Sequence, residues 1–136
     1  MSETAENFLG IDWGSRKVGV ALAHQETGIA IAYGVEQNDE SLVDKLAGLI
    51  RDENIGTVVI GVPSYNNKPA IAPPAEKFGH ILSAKTGVNI VYQDEMFTTK
   101  LAQQVLQNRG EKAVGKHDDA EAARIILQQW LEKQLS

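Results

Sequence analysis

Three apolar runs stand close together at the start of the chain: "FLGID" from Phe8, "VGVALA" from Val18 and "IAIAYGV" from Ile29. The stretches between them, "WGSRK" and "HQETG", are five residues each and too short to hold a helix. A crossover between parallel strands needs about a dozen residues or more, whereas a short turn suffices for antiparallel ones. The three runs therefore read as strands of an antiparallel meander. This constrains everything that follows, because an antiparallel sheet of three strands needs further elements to cover its apolar faces.

Beyond the meander the period changes. In "DESLVDKLAGLIRDE", Leu42, Leu46, Leu49 and Ile50 share one helical face, and Asp39 or Ser41 can cap the start. "TVVIGV", Thr57 to Val62, is a continuous apolar run, which suits a strand buried on both faces in parallel pairing. "PAEKFGHILSAKTG" reads as a second helix, with Pro74 near its first turn and Gly87 past its end. "VNIVY" reads as a fifth strand, "TTKLAQQVLQNRG" as a third helix closed by Gly110, and "DDAEAARIILQQWLEKQL" as a fourth. The order β-β-β-α-β-α-β-α-α predicts an α/β fold with a five-stranded mixed sheet and helices on both faces.

A chain of 136 residues suits one domain. The reading is a disordered lead-in over 1–6 and a single domain over 7–136. The polar, acidic opening "MSETAEN" resembles neither a signal nor a transit peptide, and no apolar run approaches the ~18 residues of a membrane span. A cytoplasmic protein without membrane contact is expected. There are no cysteines, which excludes disulfides, thiolate nucleophiles and thiolate metal sites.

Three acidic placements stand apart from the solvated charges. Asp12 ends the first apolar run, and strand alternation puts it on the face opposite Ile11. It is either a turn-forming aspartate before Gly14 or a carboxylate held on rigid backbone for a metal. Asp94 and Glu95 follow "NIVYQ" at the end of the fifth strand; there they either decorate a helix N-terminus or join Asp12. Asp118 and Asp119 open the last helix. Asp119, Ala123, Ile126 and Trp130 are spaced 4, 3 and 4 apart, hence on one core-facing stripe. Asp118 suits an N-cap, which leaves Asp119 for other work. Carboxylates gathered without cysteine or a histidine cluster suit a hard divalent ion, Mg²⁺ or Mn²⁺. Two such ions ~4 Å apart serve phosphodiester hydrolysis.

A net charge of −5 argues against a general nucleic-acid binder. The cations nevertheless cluster beside these carboxylates. Arg16 and Lys17 follow Asp12 with Ser15. Arg109, Lys112, Lys116 and His117 lie in "NRGEKAVGKHDD" before Asp119, and "GVPSYNNKP" offers Ser64, Asn66, Asn67 and Lys68 for phosphate oxygens. Trp13 and Tyr65 are available for stacking on bases, and Trp13 serves equally as packing.

With these motifs in place, the chain resembles the YqgF family of pre-16S rRNA nucleases and Holliday junction resolvase-like proteins along nearly its whole length. "LGIDWGSRKVGVALA" resembles the family's opening motif, "VVIGVPSYNN" its fourth strand and polar loop, "YQDEMFTT" its D-E-R-x-[ST]-[ST] motif, and "DAEAARIIL" its D-x-x-A-A-x-x-I-L motif. Met96 stands where the family has arginine, and "SYNNK" replaces "LNMDG". The resemblance implies a ribonuclease H-like fold, a divalent metal and a catalytic set of Asp12, Glu95 and Asp119. Asp94 and Asp118 are further candidate metal ligands, and Thr98 belongs to the presumed substrate side.

The implied activity is metal-dependent endonuclease cleavage of structured RNA in 5′ maturation of pre-16S rRNA. Cleavage of branched DNA is the alternative within the same chemistry. A monomer suits the rRNA substrate and a symmetric homodimer suits a four-way junction. Two other classes compete. "DWGS" matches the Asp-x-Gly-[ST] phosphate loop of actin-like and sugar-kinase ATPases, but those need a second related domain, for which the chain has no room. A non-catalytic RNA-binding or ribosome-assembly module with a degenerate site is suggested by Met96 and opposed by the intact carboxylate set.

Overall fold

The computed structural model describes residues 6–62, 64–65, 68–69, 73–94 and 118–135. The helix expected over 98–110 lies outside them. In chain order the elements are β1 (Asn7–Asp12), β2 (Lys17–Ala23), β3 (Ala30–Gln37), α1 (Leu42–Asp52), β4 (Ile55–Val62), β5 (Ser64–Tyr65), β6 (Lys68–Pro69), α2 (Pro73–Thr86), β7 (Asn89–Asp94) and α3 (Asp118–Leu135). The main sheet has five strands in the order β3-β2-β1-β4-β7. β1 pairs antiparallel with β2, and β2 with β3, so the meander forms as expected. β4 adds parallel to β1, and β7 parallel to β4.

Side-chain alternation divides the sheet into two apolar faces. On one, Leu9, Ile11, Val20, Val58, Ile60 and Val62 join Leu42, Leu46 and Ile50 of α1 and Phe78 and Leu82 of α2 in a single buried cluster. On the other, Ala21, Ala23, Ala30 and Val59 pack on Ala123, Ile126, Leu127 and Leu131 of α3, and the rings of Phe8 and Trp130 meet at 5.4 Å. The first face is large-on-large, whereas the sheet side of the second is mostly alanine and glycine. This lets α3 lie close. A β-carbon on Gly10 would come within 2.7 Å of the Leu127 Cβ and 2.9 Å of the Ala123 carbonyl.

Local chemistry shifts several expected boundaries. β3 starts at Ala30 rather than Ile29. Gly28 has a left-handed φ of 65°, and the Gln128 amide of α3 accepts from Ala30 N at 2.8 Å and donates to the Gly28 carbonyl at 3.3 Å. A side chain thus takes the polar groups where a ladder would begin. α1 starts at Leu42, and Ser41 at its N-cap makes no side-chain cap bond. Asp39 fixes the turn before the helix: its Oδ1 accepts from Ser41 N at 2.9 Å and Ser41 Oγ at 2.6 Å. Those two bonds hold the Asp39 carboxyl below its usual pKa of 3.8. Gly87, with φ 77°, ends α2 as expected. The "GVPSYNNKP" segment, expected as a loop, contains the short antiparallel pair β5–β6, with Ser64 opposite Pro69 and Tyr65 opposite Lys68.

Candidate active site

The parallel strands β1, β4 and β7 all end at one edge of the sheet, the usual place for a site in an α/β sheet. Asp12 is the last residue of β1. It is half-buried and, because Leu9 and Ile11 belong to the opposite cluster, it lies on the face that α3 covers. Its ladder neighbours are Gly19 on β2 and Gly61 on β4. Neither carries a side chain to crowd the carboxylate.

The N-terminus of α3 closes this place from above. The main-chain carbonyl of Asp119 lies against Gly19, where any β-carbon would collide with it, and the nitrogen of Ala120 would be 3.0 Å from that atom. Asp12 and the backbone of Asp119 thus sit on either side of the same glycine. The expected stripe is present beneath: Ala123 and Ile126 are fully buried and Trp130 packs on Phe8. Asp119 itself is half-buried.

Asp94 is the last residue of β7, in register with Val62. Asp118 is the first residue of α3. The side chains of both lie outside the described set, as do those of Ser64 and Lys68 in β5 and β6. Glu95, Asn66, Asn67, Thr98, Arg109, Lys112, Lys116 and His117 lie outside it altogether. Among the described residues no group of three or more histidines or carboxylates is close enough to hold a metal; the described part of the expected set is the pair Asp12 and Asp119.

The basic turn is well defined. Ser15, Arg16 and Lys17 are exposed. Gly14 is needed here, since a β-carbon would lie 2.5 Å from the Lys17 carbonyl. Asn38, which follows β3, holds the turn: its Nδ2 donates to the Gly14 carbonyl at 2.7 Å and its N to the Arg16 carbonyl at 2.8 Å. Asn38 belongs to no motif of the sequence. Its one local signal is a donor-rich residue at the end of a strand run. Trp13 is packing: its ring meets Phe78 of α2 at 4.7 Å, against the main core. On α3, Arg124 is engaged by Glu121, with Nε–Oε1 at 3.0 Å and Nη2–Oε2 at 2.6 Å, and this bond raises its already high pKa.

A family model for RuvX, the Holliday junction resolvases, matches residues 6–133. The chain belongs to this family. The family is one of nucleases, hydrolases acting on nucleic acids, and such enzymes generally use divalent metals. Similar curated proteins carry the name "Putative pre-16S rRNA nuclease". One, from Rickettsia felis (strain ATCC VR-1525 / URRWXCal2), is 34% identical over 128 residues, covering 89% of this chain and 82% of that protein. Another, from Colwellia psychrerythraea (strain 34H / ATCC BAA-681), is 30% identical over 132 residues, covering 93% and 89%. The fold is the ribonuclease H-like fold of RuvC. T. thermophilus RuvC in complex with Holliday junction substrate superposes with a TM-score of 0.63 at 12% identity, covering 96% of each chain. The Fowlpox virus resolvase in complex with junction DNA superposes at 0.64 and 12%, covering 96% of this chain and 99% of that one. Among the described residues no helix is long and apolar enough to cross a membrane.

Proposed function

We propose that the chain is a divalent-metal-dependent endonuclease whose preferred substrate is structured RNA, acting in 5′ maturation of pre-16S rRNA, with 7–136 as its single nuclease domain. The observation that carries this reading is the seating of the α3 N-terminus on Gly19, the ladder partner of Asp12. It brings two strand- and helix-borne aspartates to one sheet edge beside an exposed cationic turn. The donors fit Mg²⁺ or Mn²⁺, since both are hard carboxylate oxygens on rigid elements and the ladder neighbours of Asp12 are glycines. Asp12, Asp119 and Glu95 are the residues assigned to hold the metal. Glu95 follows Asp94, the last residue of β7, in the sequence. Asp94 and Asp118 are auxiliary candidates.

A bound divalent ion supplies Lewis acidity and lowers the pKa of water. The chain's own residues do the rest. Asp12 and Asp119 would hold the ion from fixed backbone. Arg16 and Lys17, with Ser15, draw the scissile strand to that edge and offset its phosphate charge. Ser64, Asn66, Lys68, Thr98, Arg109, Lys112, Lys116 and His117 are assigned to the flanking strand. This local cationic supply overcomes the net charge of −5.

Branched DNA is the second reading, favoured by the family's description as Holliday junction resolvase. One experiment separates them: Mn²⁺-dependent cleavage by wild type and Asp12→Asn of a pre-16S rRNA 5′ leader and of a four-way DNA junction. Leader cleavage that the variant loses supports the proposal. Junction cleavage alone favours the resolvase reading and a dimer. Binding of RNA without cleavage in either metal would return the chain to a binding module.

A further inference from the structure

We propose that Asn38 is a positioning residue for nucleic-acid binding, acting through Arg16 and Lys17; this rests on the assignment of those two cations to substrate phosphates. The turn from Trp13 to Arg16 joins Asp12 to β2, so its conformation decides where the two cations stand relative to the carboxylates. Ser15, Arg16 and Lys17 are exposed, and no apolar packing holds them. Trp13 anchors the start of the turn on Phe78, and Asn38 holds the rest. Its Nδ2 donates to the carbonyl of Gly14 at 2.7 Å and its backbone N to that of Arg16 at 2.8 Å. One residue from the end of β3 thus ties two carbonyls of a turn that belongs to another pair of strands.

Two consequences follow for an anion. Cations on a loose turn need their backbone ordered when a phosphate binds, whereas here the backbone that carries them is held before binding. The two carbonyl oxygens are also engaged by donors, so their negative ends do not compete for Arg16 and Lys17. The half-buried amide suits the task because it offers a donor without a charge. The backbone bond to Arg16 does not depend on the side chain at 38, proline excepted, which makes the side-chain contribution separable from the end of the β-ladder.

The test uses the full chain, a fluorescently labelled pre-16S rRNA 5′ leader, and Ca²⁺ in place of Mn²⁺ during binding. Asn38→Ala is expected to weaken RNA binding about 3- to 10-fold, the range set by one net hydrogen bond. The slope of log affinity against log salt, which counts neutralised phosphates, is expected to shrink, while Mn²⁺ affinity stays near wild type. In an Arg16→Ala/Lys17→Ala background the same substitution is expected to have no further effect, because no cations remain to be positioned. Asn38→Leu, which keeps the branched shape and removes the donor, is expected to match Asn38→Ala and serves if the alanine variant folds poorly. Equal losses in both backgrounds, unchanged RNA binding in Asn38→Ala, or a parallel loss of Mn²⁺ affinity would each overturn the proposal. If Arg16→Ala/Lys17→Ala binds RNA as wild type does, the assignment of the turn fails and Asn38 with it. If that double variant binds weakly while Asn38→Ala binds normally, the assignment stands and the positioning role alone falls.

Discussion

The carbonyl of Asp119 lies in the space that a β-carbon on Gly19 would need, and Gly19 is the residue opposite Asp12 in the β1–β2 ladder. The obstacle to a side chain at 19 is main chain, not the movable end of a neighbouring residue. Gly19→Ala must therefore lift the start of α3 from β2. A destabilisation of about 1–3 kcal/mol is expected, as for other overpacked positions, measured by urea unfolding. Mn²⁺ affinity by calorimetry should fall at least about 10-fold, the effect of disturbing the support of a metal ligand. Gly34→Ala is the control: on β3, nothing lies within 4 Å of the added carbon, and stability should stay within about 1 kcal/mol of wild type. Unchanged Mn²⁺ binding in Gly19→Ala would show that the helix approach does not set the site.

Asp12→Asn and Asp119→Asn should each reduce Mn²⁺-dependent cleavage of the leader RNA by more than about 100-fold, beyond what an outer-shell partner contributes. Far-UV circular dichroism should be that of wild type. Mn²⁺ at 100 times its Kd should stabilise the wild type by about 2.7 kcal/mol through mass action, and this gain should vanish in both variants. A variant that kept the metal-induced gain but lost cleavage would move that aspartate from the metal to the substrate.

The features that could be read from the sequence are those with a strong period or a strict spacing. The meander followed from gap lengths, and the α3 stripe from Asp119, Ala123, Ile126 and Trp130. The face of Asp12 followed from its alternation with Ile11. What could not be read depends on contacts between distant residues. The start of β3 is set by Gln128, 98 residues from the nitrogen it binds. Trp13 looked equally fit for bases or core until Phe78 was found beneath it. Asn38 carries no motif, and its hydrogen bond to Gly14 spans 24 residues. Gly19 was legible as part of a motif, but its reason, the carbonyl of a helix 100 residues later, was not.

The two faces of the sheet should respond differently to equal damage. Ile126 on α3 and Leu82 on α2 are both fully buried, and truncating either to alanine should cost about 2–5 kcal/mol. Ile126 shares its helix and its stripe with Asp119, whereas Leu82 packs on the opposite face. Ile126→Ala should therefore also weaken Mn²⁺ binding, and Leu82→Ala should leave it unchanged in the folded fraction. Calorimetric titration well below the melting midpoint distinguishes the two. Equal metal affinities would mean that the docking of α3 is not coupled to the site.

Tyr92 gives the chain a pH response at its alkaline end. Its hydroxyl lies over Gly79 in a groove of about 370 Å³ between α2 and β7, with Glu76 on the rim. Burial, and then the negative charge of Glu76, raise the phenol above its usual 10.0. Below pH 10 both the folded and unfolded chains keep the proton, so this residue adds no pH dependence. Above it the unfolded chain releases the proton first, the folded state binds more protons, and stability must fall as pH rises. The wild-type minus Tyr92→Phe ultraviolet difference titration should show phenolate forming above pH 10. Glu76→Gln should lower that midpoint only part of the way, because burial is the larger cause. A midpoint at or below 10 in the wild type would mean that the ring is not enclosed between α2 and β7.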